Sequence, residues 1–323
     1  MIDLRDVITR TPQGFAPNMA FATVTPYTIG FDPQMVPNPP FALPAASAAS
    51  KAIGFQAPRA SQFGMFEAYY AMYADSTDTT AAAAWTVDFP NFQARPLNNS
   101  PLHIRTFAGT AQLPALIREP LVMFSREKLI MQPQKISGAG ANIWTNFAGV
   151  QWNPYSGPLQ DFIAKRMAKW QTRRQYVWPF WLTTLPVSIS ANSVNQNYDV
   201  QLSEHFEAFS ISAVATGAFS MELTEIRSGK TISNGVFTMA NALGDATLPT
   251  IFDTPYLVPA GSRLRFTFND LSSGTNVIYV TMAGRKILPT VPIQEVRDVL
   301  ADTDVLPPAD ALLQTFPEMV GAM

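Results

Sequence analysis

The sequence contains no cysteine. That excludes a disulfide framework, thiolate metal sites and a cysteine nucleophile. Histidine is scarce as well, with only His103 and His205. Neither stands in an HExxH or HxH pattern or beside a carboxylate cluster, so both read as structural or surface residues. Charged residues make up 14% of the chain, against about 25% in an ordinary domain. The net charge of −2 argues against a globally basic nucleic-acid binder. With 47% hydrophobic residues and so few charges, part of the apolar excess is expected at contacts between chains. Long apolar runs are missing too. A membrane-spanning helix needs about 20 mostly apolar residues, and proline or polar residues interrupt every stretch. Met1 to Arg10 carries Asp3, Arg5, Asp6 and Arg10 with no apolar segment behind them, unlike a secretory signal. The expectation is a soluble protein made in the cytoplasm, with no membrane association. No G-x-S-x-G, Walker A or G-x-G-x-x-G motif occurs. Asp245, Asp253 and Asp270 are scattered, whereas a calcium site needs converging oxygens. No catalytic residue, cofactor or metal is expected.

Proline is plentiful, at 27 residues. Residues 1–58 read as an extended arm. Between Thr11 and Pro58 prolines punctuate the chain, fixing φ and pushing their predecessors toward extended backbone. Phe15, Phe21, Phe31, Phe41 and Phe55 lie between them. A disordered segment has few aromatics and many charges; this one is the reverse. It reads as a strap that buries its phenylalanines in a groove, either of its own domain or of a neighbouring subunit.

Residues 59–178 read as a mixed region. Phe63, Phe66, Tyr69, Tyr70 and Tyr73 recur at helical spacing, predicting a short helix over 61–74. Trp85–Phe89, Leu102–Ile104 and Leu121–Phe124 are short strand candidates. Ser156-Gly157-Pro158 offers a cap and a first-turn proline for a second helix over 159–174. Its basic face carries Lys165, Arg166, Lys169, Arg173 and Arg174. That face suits solvent, acidic loops of a neighbour, or weak contact with packaged nucleic acid.

From Trp178 onward the period changes to two. Phe209, Ile211 and Ala213 alternate with polar residues, as do Phe219, Met221 and Leu223, and Leu264, Phe266 and Phe268. Turns such as Thr216-Gly217, Ser228-Gly229 and Ser273-Gly274 separate the runs. Short strands and turns at this spacing predict a jelly-roll-like antiparallel β-sandwich over 179–288. Residues 289–323 form a tail with an apolar patch at Leu312, Leu313 and Phe316. It either clamps a neighbour or packs back on the sandwich. No internal repeat stands out. The fold class is therefore mainly β, with an extended Pro/Phe-rich N-terminal arm and few short helices.

Five stretches between Trp181 and Lys286 carry a resemblance. They are Trp181-Leu-Thr-Thr-Leu-Pro-Val-Ser, Phe209-Ser-Ile-Ser-Ala-Val-Ala-Thr-Gly, Ser233-Asn-Gly, Pro255-Tyr-Leu-Val-Pro-Ala-Gly-Ser, and Leu271-Ser-Ser-Gly-Thr-Asn-Val-Ile-Tyr-Val-Thr-Met-Ala-Gly-Arg. This region resembles bacteriophage virion structural proteins. The resemblance implies a non-enzymatic head, neck or tail subunit, located in the virion and made in the host cytoplasm. Its partners would be copies of itself and other virion proteins. Within that class a capsid or capsid-associated role is expected. The alternatives are a neck or tail protein, or a β-sandwich that binds a receptor or glycan through Trp and Tyr side chains. Two tandem jelly rolls would fit the length, but the first half shows fewer clean strands than a second roll needs.

Overall fold

The computed structural model describes residues 24–31, 53–56, 66–76, 81–89, 92–110, 113–124, 127–135, 143–152, 168, 171–184, 186–232 and 235–288. The first half holds β1 (Val24–Phe31), β2 (Ile53–Gln56), β3 (Phe66–Ser76), β4 (Ala81–Phe89), β5 (Phe92–Pro96), β6 (Leu102–His103), β7 (Ala115–Phe124), β8 (Lys128–Lys135) and β9 (Ile143–Trp152). They make two antiparallel sheets, β1-β9-β3-β7 and β2-β8-β4-β5, with β6 beside β4. The second half holds β10 (Val177–Thr183), β11 (Val187–Ile189), β12 (Gln196–Gln201), β13 (His205–Ala215), β14 (Phe219–Glu225), β15 (Lys230–Thr231), β16 (Phe237–Thr238), β17 (Thr250–Val258), β18 (Arg263–Asp270) and β19 (Asn276–Ile287). Its sheets run β10-β19-β13-β17 and β12-β18-β14-β15, with β11 beside β19 and β16 beside β14.

Setting aside the short strands β6, β11 and β16, both halves have the same layout. The first, eighth, third and sixth strands share one sheet; the second, seventh, fourth and fifth share the other. That is the order of an eight-stranded jelly roll. The chain is two jelly rolls in tandem. The expectation of a mainly β chain with a C-terminal sandwich holds, and the mixed first half proves to be a full roll.

The helix expected over 61–74 is strand β3 from Phe66 to Ser76. The expected arm is in part built into the first roll. β1 pairs along β9, placing Phe31 opposite Thr145, and β2 pairs along β8, placing Phe55 opposite Leu129. Phe15, Phe21, Phe41 and the whole tail lie outside the described residues. Of the helix expected over 159–174, residue 168 and residues 171–174 are helical, continuing to 176.

Period-two alternation builds the second core. Along β18, Leu264, Phe266 and Phe268 are buried while Arg263, Arg265 and Thr267 point outward. They meet Met221 and Leu223 of β14, and face Phe180, Ile211, Val280 and Met282 from the opposite sheet. Each fully buried side chain of this size contributes about 1.5–3 kcal/mol. The first core gathers Tyr69, Met72, Leu121, Met123, Leu129, Met131 and Phe147, and it extends into Trp178 and Trp181 of β10.

The rolls also repeat in register, which the sequence does not display. α1 (Ile104–Phe107) and α2 (Met239–Ala242) begin 135 residues apart, 104 to 239. The same offset carries β7 onto β17, β8 onto β18, and β9 onto 278–287 of β19. Gly109, Leu113, Pro114, Pro120, Leu129, Ala148 and Gly149 recur as Gly244, Leu248, Pro249, Pro255, Leu264, Ala283 and Gly284. The shared glycines have a steric reason. A Cβ on Gly109 would run into the Leu113 carbonyl oxygen, and one on Gly244 into that of Leu248. The bulges repeat as well. Pairing of β3 with β7 skips from Tyr69–Leu121 to Ala71–Leu116, and that of β13 with β17 from Ala208–Tyr256 to Ser210–Ile251. In each roll four residues leave the ladder, and the last is a proline, which has no N–H to pair.

Candidate functional site: the junction between the rolls

The rolls meet along a junction to which both contribute. α1 and β7 of the first roll pack on β10, β13 and β19 of the second. The backbones join directly. Trp181 N–H donates to the Leu97 carbonyl at 2.8 Å, and Ala246 N–H donates to that of Arg105 at 2.9 Å. Asn99 clasps Thr183 twice, donating to its carbonyl at 2.8 Å and accepting from its N–H at 2.7 Å. A buried hydroxyl chain crosses the seam. Thr281 Oγ1 lies 2.8 Å from Thr106 Oγ1 and 3.1 Å from Thr183 Oγ1, and Ser212 Oγ donates to the Thr106 carbonyl at 2.7 Å.

Two carboxylates of the first roll anchor arginines that follow it in the chain. Arg173 donates to Glu119 from Nε and Nη2, both at 2.7 Å, with both residues buried. Arg285 reaches the same Glu119 at 3.0 Å and also holds Glu207 at 2.5 Å. Glu119 therefore ties the helical stretch 171–176 and β19 to β7. Arg174 grips Glu127 at 2.9 and 3.0 Å, and its guanidinium covers the Phe124 ring at 4.7 Å. Burial pushes the Glu127 carboxyl above its ordinary range, even though Arg174 pulls it back. The same burial lowers Arg174, against the pull of Glu127. Desolvation thus opposes the charged state of both partners, as expected of an ion pair that the surrounding fold holds in place.

Both histidines have structural surroundings. His103 caps α1, accepting from Arg105 N–H at 3.2 Å, and its ring packs 4.8 Å from that of Tyr279. Burial pushes the Tyr279 phenol up to about 12, so it stays neutral. His205 Nδ1 accepts from Ala260 N–H at 3.2 Å. Asp270 is fixed within a loop. Burial alone would raise its pKa, but bonds from Asn192 N–H, the Ser272 hydroxyl and N–H, and the Asn276 amide hold it below the ordinary range. Among the described residues no three His, Asp or Glu come together as metal ligands. Nor is any helix there long and apolar enough to cross a membrane.

Of the expected basic face, Arg173 and Arg174 turn into the junction instead of presenting a charged surface. Lys165, Arg166 and Lys169 lie outside the described residues. Sequence reasoning missed Glu119 and Glu127. They stand in Ile-Arg-Glu-Pro and Ser-Arg-Glu-Lys, which read as ordinary polar surface. The available signal was Arg173-Arg174, two adjacent cations that a low-charge chain places just before its second sandwich.

No protein-family model matches the chain, and no curated protein matches it in sequence. Solved structures share its layout loosely. The STIV MCP, a viral capsid protein, is 8% identical over 86% of this chain and 99% of that one, with a TM-score of 0.40. The glycosylasparaginase PNGase F from Flavobacterium meningosepticum is 8% identical over 82% of this chain and 97% of its own, at 0.36. The VP2 subviral particle of infectious bursal disease virus is 9% identical over 93% of this chain and 54% of that one, at 0.22. The structural neighbours thus include viral capsid proteins and an enzyme, and layout alone assigns no activity.

Proposed function

We propose that the chain is a non-enzymatic structural subunit of a viral shell, assembling with copies of itself and with other virion proteins. The observation that supports this best is the pair of jelly rolls of identical strand order, locked by a buried junction. Bidentate ion pairs, a shared apolar core and direct backbone bonds remove hinge freedom between the rolls. Each copy then offers two equivalent outlines at a fixed spacing, which suits repeated tiling in a closed symmetric array. Jelly rolls serve viral shells and lectins alike, and the resemblance over Trp181–Lys286 favours a bacteriophage shell. In this reading Phe15, Phe21, Phe41 and the Leu312–Phe316 patch strap neighbouring subunits, while Phe31 and Phe55 belong to the first roll. Lys165, Arg166 and Lys169 meet acidic loops of a neighbour, with at most weak contact with the genome.

Mass spectrometry of purified virions tests this directly. The chain should be among their abundant proteins, and the expressed chain should form regular oligomers in electron micrographs. Absence from virions would overturn the shell reading. A chain that stayed monomeric and bound a glycan would point to the lectin-like use of the fold.

A further inference from the structure

The two rolls carry the same apolar edge, but only one of these edges is covered. In the first roll, α1 and β7 are packed against β10, β13 and β19 of the second. Their register counterparts in the second roll are α2 and β17. Among the described residues, neither is covered by another roll. At several matched positions the exposures follow this difference. Leu113 is 36% exposed, whereas its counterpart Leu248 is 73% exposed. Val122 is 1% exposed, whereas its counterpart Leu257 is 51% exposed. Ile117 is buried at the junction, while Phe252, at the same register, is only partly buried. Ile251 is 53% exposed, but its counterpart Leu116 is 48% exposed, so that position stays open in both rolls.

We propose that this uncovered edge, Leu248 and Leu257 beside α2, docks on a second copy of this chain. The receiving face is the outer side of the β1-β9-β3 sheet. The contact between copies thereby repeats the junction that joins the rolls within one copy. The proposal rests on the shell reading and gives it a residue-level contact. Register supplies the fit. The receiving face of the second roll is the outer side of β10-β19-β13, where Thr281 meets Thr106. Asn146 of β9 stands where Thr281 stands in β19, and it is partly exposed. The contact uses different surfaces on the two partners, so it propagates from copy to copy and closes only as a ring. The ion-pairing residues of the internal junction have no charged counterparts in sequence. The positions matching Glu119 and Arg285 are Thr254 and Val150. Association between copies therefore depends little on salt, while the rolls within a copy stay joined through buried ion pairs.

Mixing two variants of the full chain tests the idea. Leu248→Asp with Leu257→Asp spoils the edge, and Asn146→Arg spoils the receiving face. Each alone should weaken self-association by about tenfold or more in sedimentation. Mixed in equal amounts they should form a heterodimer, because each supplies the surface the other lacks. Val194→Asp, at another exposed apolar residue on the loop before β12, should associate as the wild type does. Circular dichroism and the thermal midpoint of each variant confirm that it is folded. If the edge variant, folded, associates normally, the docking assignment fails and the shell reading stands. If both variants weaken association but do not rescue each other, the two faces do not meet one another and the repeated junction is wrong. A wild type that is monomeric at every concentration and salt tested would overturn both readings.

Discussion

Glu119 meets Arg173 and Arg285 at once, and both of its oxygens are engaged. A truncation there would take this carboxylate from both arginines at once. Breaking a buried ion pair from one side typically costs about 3–5 kcal/mol, because the remaining charge stays desolvated. Glu119→Ala should therefore lower the urea midpoint sharply. Asp199, paired with Arg265 on the exposed side of β12 and β18, is the contrast. Exposed pairs of this kind hold little net free energy against solvent screening, so Asp199→Ala should leave the midpoint close to wild type. If the two variants shift it equally, the junction pairs are ordinary surface contacts.

At the scale of elements, legibility depended on whether a strand kept its period. β18 shows one buried face, and Leu264, Phe266 and Phe268 declare it. β3 does not, because its bulge between Tyr69 and Ala71 shifts the alternation halfway along. The aromatics then fall three or four apart and imitate a helix. β4 opens with four alanines, the strongest helix formers, and is a strand because β8 pairs along its length and β5 and β6 pair on its other side. The repeat stayed hidden for a related reason. Identity survives mainly where backbone geometry demands glycine or proline, while core positions exchange one apolar residue for another, as Met131 and Phe266 do. The junction was the least legible part, since its hydrogen bonds span up to 175 residues of sequence. On β18 the clear alternation gives a sharp test. Phe266→Asp buries an unpaired carboxylate, at a cost of several kcal/mol, and should unfold the second roll in circular dichroism. Thr267→Asp faces outward beside Asn197 and should change stability by about 0.5 kcal/mol. Equal damage from both would mean that a further layer covers that sheet.

For the whole molecule, the consequence is cooperativity between the rolls. Trp178 and Trp181 begin the second roll yet sit in the core of the first. The seam bonds then make either roll costly to open while the other stays folded. Full-length protein should unfold in a single transition in which tryptophan fluorescence and far-ultraviolet circular dichroism coincide. Removing residues 1–58 probes this coupling, because it deletes β1 and β2 along with the rest of the arm. Both lie at sheet edges, so β9 and β8 would each lose a partner and show a row of unpaired backbone groups. The truncated chain should lose protection against hydrogen exchange along β3, β8 and β9 first. The loss should then spread through the junction to β10 and β19. Assembly should fail with it, because the β1-β9-β3 face is gone even where the second roll survives. An unchanged unfolding midpoint after truncation would show that β1 and β2 add nothing to the first roll. A second roll whose protection is untouched would show that the junction does not couple the two.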